Sequence, residues 1–113
     1  MPETPAFDDP DGGAGLTNFA ALNHPPPFPL GERLATSAAL QHLEQVGADP
    51  REYFDRHARG DWGEVTPRTA RANDKAISQF APLLSCYRVG GKTILIETES
   101  SRLASIMMFP CEK

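Results

Sequence analysis

"LLSCYRVGGKTILIETESSRLASIMMFP", residues 83–110, decides the fold. It holds three β-rich runs, "LLSCYRV", "TILIETE" and "RLASIMMF". Branched and aromatic side chains dominate them, as pleated, half-buried strands require. The first two runs flank Gly90 and Gly91, and a glycine pair accepts the positive φ of a tight hairpin turn. A two-residue turn there predicts that Tyr87 faces Ile94 and Arg88 faces Thr93. "ESS" makes the next turn, and Pro110 stops the last strand. The segment therefore reads as a three-stranded antiparallel meander. Its last strand is apolar on both sides. It is either central and buried, or an edge that invites a partner or a second copy.

Upstream the period changes from two to 3.6. "LGERLAT", 30–36, reads as a short strand or extended lead-in, the optional fourth strand. "SAALQHLEQVG" is a helix capped by Thr36 or Ser37, with Leu40, Leu43 and Val46 on one face and Gly47 at its end. Asp49, Pro50 and Glu52 open a second helix, which Gly60 closes. Thr66 and Pro67 open a third, whose apolar stripe is Ala70, Asn73, Ile77 and Phe80. Asn73 on that stripe demands a hydrogen-bond partner. The fold class is α+β: three short helices packed on a small C-terminal antiparallel meander of three to four strands.

Residues 1–29 hold seven of the eleven prolines and few large apolar side chains. They read as a disordered tail, with "PPPFP" extended and Phe28 its docking point. Residues 30–113 form the single α+β domain. Glu3, Asp8, Asp9 and Asp11 are the only charges before Glu32, and they equal the whole formal net charge of −4. The domain itself is electrically balanced, which argues against a nucleic-acid partner. No apolar run reaches the ~20 residues of a membrane helix. No signal peptide is visible, so cytoplasm is the expected location. Cys86 and Cys111 are expected as free thiols, and no His/Cys spacing suits zinc. No metal and no cofactor are expected.

The polar residues that could converge are His57, Asp61, Asn73, Ser85, Tyr87, Thr98 and Arg102. Metal-free RNA cleavage would use His57 as base, Tyr87 as a positioning group and Arg102 as a phosphate clamp. Each also has a structural reading. His57 sits in a last helical turn, stacked on Tyr53 one turn earlier. In "RHARGDWGEV", 56–65, Asp61 caps a turn that Trp62, the single tryptophan, pins to the sheet. Asn73 then bonds that corner's backbone. Arg102 pairs with Glu97 or Glu99, and Tyr87 packs with its hydroxyl in water.

"LATSAAL" (34–40), "RHARGDWGEV" (56–65), Asn73, "LLSCYRV" (83–89) and "ILIETESSRLASIMMFP" (94–110) resemble a family of small bacterial proteins. Its members are encoded on plasmids, phages and integrative elements, under labels such as "plasmid-related protein" or "type I restriction endonuclease subunit". The resemblance covers residues 31–110 and implies a genomic setting rather than a mechanism. Helices followed by an antiparallel meander is also the order of the barnase–RelE-like ribonucleases and toxins, an analogy of fold alone.

Two functions follow as expectations. The first is a small non-enzymatic mobile-element protein that binds a host or phage defence component, as an anti-restriction or anti-CRISPR-like inhibitor. Asp61, Trp62, Asn73 and Arg88 are its binding residues, and a homodimer is compatible with it. The alternative is a metal-independent ribonuclease or toxin using His57, Tyr87 and Arg102.

Overall fold

The structure is a computed structural model that describes residues 28–113. The expected tail up to residue 27, with its polyproline stretch, lies outside the described residues. Strand β1, Glu32–Ala35, comes first. Helices α1 (Ser37–Gln45), α2 (Pro50–Ala58) and α3 (Pro67–Gln79) follow. Strands β2 (Leu83–Val89), β3 (Lys92–Thr98) and β4 (Ala104–Met108) complete the sheet, and a 3-10 turn spans Pro110–Glu112. The class is α+β, as the periodicity implies.

Each helix starts where a capping side chain frees it from the preceding chain. Thr36 accepts the Ala39 amide, Asp49 the Arg51 amide and Thr66 the Thr69 amide, with Pro50 and Pro67 in the first turns. These bonds satisfy amides that have no helical partner. The expected apolar face of α1 is corrected. Leu40 and Val46 are exposed, and Ala39, His42 and Leu43 are the buried residues. His42 stays inside because its Nε2 meets the Val89 carbonyl at 2.7 Å.

The sheet order is β1-β4-β3-β2. The hairpin register is the expected one, Tyr87↔Ile94 and Arg88↔Thr93. β4 pairs antiparallel with β3. β1 pairs parallel with β4, Glu32↔Ala104 through Ala35↔Met107. So the fourth strand exists, but it makes the sheet mixed. It also makes β4 central, which removes the reading of "RLASIMMF" as an open edge. Along this strand Ser105, Met107 and Met108 are buried, and Ala104 and Ile106 are half-buried.

The helices cover one face. That inner face presents Leu83, Ser85, Tyr87 and Val89 from β2, Ile94, Ile96 and Thr98 from β3, and Ser105 and Met107 from β4, all buried. Phe28 and Leu30 join this core, and Phe28 stacks on Trp62 at a centroid distance of 5.9 Å. The expected docking through Phe28 is therefore present. The fully sealed positions alternate along the strands, as a one-sided roof demands.

Candidate functional site

A string of polar side chains runs through the inner face. His57, from the last turn of α2, is 0 % exposed. Its Nδ1 bonds Ser85 Oγ on β2, and its Nε2 lies 2.8 Å from Thr98 Oγ1 on β3. Thr98 Oγ1 lies 2.7 Å from Ser105 Oγ on β4, which donates to the Leu30 carbonyl at 2.8 Å. The terminal carbonyl can only accept, and this orders every proton. Ser105 donates to Leu30, Thr98 donates to Ser105, and the Nε2–H of His57 donates to Thr98. Nδ1 then accepts from the Ser85 hydroxyl. His57 is thus a neutral imidazole with both nitrogens occupied. Burial, reinforced by the Arg102 charge, lowers its pKa to about 4.

The rings around His57 are Phe28 at 5.4 Å and Trp62 at 5.6 Å, both edge-on. Tyr53 instead tilts against Tyr87 at 5.4 Å, which corrects the expected Tyr53–His57 stack. The reason is geometric: the Gly60–Gly63 corner brings Trp62 back under α2, and its indole takes the face left for Tyr53.

The outer edge of β2 is covered by two devices. Residues 84, 86 and 88 point their backbone groups away from β3. At 84, the Asn73 amide acts as a short strand: its Oδ1 accepts the Leu84 amide at 3.1 Å and its Nδ2 donates to the Leu84 carbonyl at 2.8 Å. At 86, the Cys86 amide donates to the Trp62 carbonyl at 3.0 Å, and the Glu64 amide donates to the Cys86 carbonyl at 2.7 Å. Between those two bonds sits Gly63, with φ +73°. A Cβ there would lie 2.2 Å from the Cys86 carbonyl oxygen, so only glycine fits. Asn73 does bond backbone, but that of β2 rather than that of the corner. The indole Nε1–H donates to Asp74 at 3.2 Å, outside the core.

Asp61 caps the corner as its position implies, accepting the Gly63 amide at 3.2 Å and holding Arg56 at 2.7 Å. The guanidinium keeps its carboxyl below the ordinary range. The Tyr87 hydroxyl is not in water. It donates to the Asp61 carbonyl at 2.6 Å, and burial pushes its pKa up to about 12. Of the four expected binding residues, Trp62 and Asn73 close the β2 edge, Asp61 caps the corner beside it, and Arg88 is exposed on β2 near the Gly90–Gly91 turn.

Arg102 is buried and makes no ion pair with Glu97 or Glu99. Its guanidinium donates to three carbonyls: Ala81 at 2.8 Å, Glu99 at 3.0 Å and Ala76 at 2.7 Å. It thus closes the C-terminus of α3, where a cation offsets the helix dipole. Its Nε has no hydrogen-bond partner among the described residues. The guanidinium carbon lies 5.9 Å from the Phe28 ring centre and 5.5 Å from that of Phe80. Every face of this cation is occupied by the protein, so it offers no clamp for a phosphate. With His57 sealed and Tyr87 bonded, the three residues of the nuclease reading surround one core, and all three are buried.

Sequence reasoning missed what Arg102 supports. Phe80, the α3 cap, has φ 54° and Arg102 has φ 64°, the only non-glycine positive values among the described residues. Phe80 is 65 % exposed and Leu103, next to Arg102, is 74 % exposed. The chain holds two strained residues at one place and displays two large apolar side chains there. Ser105 was missed too, although a lone hydroxyl in an apolar strand was its signal. The two cysteines are free, and no helix among the described residues is long and apolar enough to cross a membrane.

Compared with known proteins, the chain matches no family model, and no curated protein or solved structure is significantly similar to it.

Proposed function

We propose that the chain is a non-enzymatic binding protein of a plasmid, phage or integrative element. It docks on a host or phage protein and modulates it, as an inhibitor of a restriction or CRISPR complex does. The observation that carries the binding is the Phe80/Leu103 display. A left-handed aromatic cap costs about 1–2 kcal/mol relative to glycine. That cost brings little burial in the free protein, since Phe80 is 65 % and Leu103 74 % exposed. Strain that supports an exposed apolar pair is the signature of a surface used in recognition. The mobile-element setting rests on the resemblance carried by "RHARGDWGEV" and the final strands.

Phage or plasmid challenge tests this reading. Hosts carrying a restriction or CRISPR system are infected with and without the protein. Wild type is expected to raise plating efficiency, and the Phe80→Ser, Leu103→Ser double variant is expected to lose the effect at unchanged melting temperature. Equal protection by the double variant removes Phe80 and Leu103 as the docking site. No protection by wild type in any defence background sinks the inhibitor reading.

A further inference from the structure

Among the described residues no α-helix lies over the outer face of the sheet. By alternation it carries Leu84, Cys86 and Arg88 from β2, Thr93, Leu95 and Glu97 from β3, Ala104, Ile106 and Met108 from β4, and Glu32 and Leu34 from β1. An antiparallel sheet with one wet face normally alternates apolar-in, polar-out. Here the two middle rows are largely apolar on the wet side as well: Cys86, Leu95 and Met108, then Leu84, Ile106 and Leu34 with Glu97 between Leu84 and Ile106. Leu34 is 41 % exposed, and Leu84, Cys86 and Ile106 are half-buried. Leu95 and Met108 are buried yet stand outside the helix-side core cluster. Among the described residues only the C-terminal turn crosses toward this face, where Lys113 meets Glu97 at 3.4 Å and neutralises the one charge in the apolar rows.

The ends of the same face carry opposite charge. Arg88, opposite Thr93, is exposed at the end near the Gly90–Gly91 turn. Glu32, opposite Ala104, and Glu99, whose amide bonds the Ala104 carbonyl, are exposed at the other end. About six residues at ~3.3 Å each separate them, roughly 20 Å. A surface that is basic at one end, apolar in the middle and acidic at the other is complementary to itself when turned end for end. That is the requirement of an isologous two-fold contact.

We propose that the outer sheet face binds a second copy of this chain, face to face and antiparallel, with Arg88 of each copy over the acidic end of the other. The two-fold axis lies in the interface and runs across the strands, so each strand lies over its own counterpart. Arg88 on β2 comes nearest Glu99, one strand over, while Glu32 on the far edge strand lies about 14 Å across the sheet. Four strands at ~4.8 Å spacing over ~20 Å give a face of roughly 400 Å² per copy. Leu34, Leu84, Cys86 and Ile106 are its exposed or half-exposed apolar part, since Leu95 and Met108 are already buried within the chain. This is below the ~800 Å² per partner of a standard interface, so the dimer is a micromolar one. The inference stands apart from the defence-inhibitor reading, because it uses neither Phe80 nor Leu103.

Sedimentation equilibrium of the full chain at about 100 µM, well above a micromolar Kd, is the first measurement. Wild type is expected as a dimer and Ile106→Lys as a monomer. Because that lysine could disturb the sheet, the decisive pair uses exposed positions. Arg88→Glu alone and Glu32→Arg with Glu99→Arg are each expected to weaken self-association at least tenfold, since each sets like charges against each other. Mixed together they form a heterodimer in which both ends attract, and native mass spectrometry resolves it by mass. A monomeric wild type overturns the proposal, including the case in which the chain's own N-terminal segment covers the face. A dimer indifferent to these charges, or variants that fail to pair when mixed, overturns it equally.

Discussion

The two faces of the sheet invert the usual division of labour. The inner face, under the helices, buries Ser85, Thr98, Ser105 and His57. The outer face exposes or half-exposes Leu34, Leu84 and Ile106. The inner polar groups are affordable because they satisfy one another in a single ordered string ending at the Leu30 carbonyl. A polar residue in a core is therefore no sign of chemistry by itself. Its remaining hydrogen-bond capacity is the sign, and here His57 has none. Among the outer apolar side chains Leu95 and Met108 are buried within the chain, while Leu34, Leu84 and Ile106 have no such internal account, and the proposed second copy is what would cover them.

The largest effect should come from the corner that locks the helices to the sheet. Trp62→Ala removes a ring in contact with Phe28 and His57. A loss of about 3–5 kcal/mol is expected, read by urea denaturation. A loss under about 1 kcal/mol would mean that the corner is held by its backbone bonds to Cys86 alone.

Next comes the inner string itself. His57 is neutral in the fold, with a pKa of about 4, against the ordinary 6.5 of a histidine in an unfolded chain. The unfolded chain therefore takes up the proton first. Stability from this residue is complete above pH 6.5, falls as the pH drops toward 4, and levels off below. The total is about 3 kcal/mol, at up to 1.36 kcal/mol per pH unit. Asp49 and Asp61 contribute in the opposite sense of charge, and their losses fall below pH 3.8, outside this window. Stability measured from pH 7.5 to 4.5 should slope in wild type and flatten in His57→Gln. A slope that survives the substitution assigns the effect elsewhere.

A smaller loss is expected at the β2 edge. Asn73→Leu keeps the volume but leaves the Leu84 amide and carbonyl without partners. About 2 kcal/mol should go, because part-buried backbone groups then lose their only bonds. Hydrogen exchange at Leu84 should accelerate while that at Cys86, still held by Trp62, stays slow.

What the sequence made legible follows from range. The β2–β3 register was readable because two glycines set it locally. The three helix starts were readable because each cap and proline lie within four residues of the helix they begin. The parallel pairing of Glu32–Ala35 with Ala104–Met108 joins segments about 70 residues apart, and no local pattern announces it. Without it, the two-sided apolarity of β4 fits an edge as well as a centre. The site failed for a similar reason. His57, Ser85 and Thr98 were all visible as polar residues that could meet, but whether they meet at a surface or in a core depends on Phe28 and Trp62, which close over them.

The smallest effect is the one that separates a displayed side chain from a structural one. Phe80→Gly places at φ 54° the residue type that adopts this conformation without steric cost. Relief of the left-handed strain should return about 1–2 kcal/mol. Against it stands the contact with Arg102, worth about 0.5–1 kcal/mol at an exposed site. Glycine's own entropy in the unfolded chain takes back a similar amount. The sum is a change within about 1 kcal/mol of zero, small because Phe80 buries little of its ring. A loss above about 1 kcal/mol would show that Phe80 packs the end of α3, and would leave Leu103 alone as the exposed group.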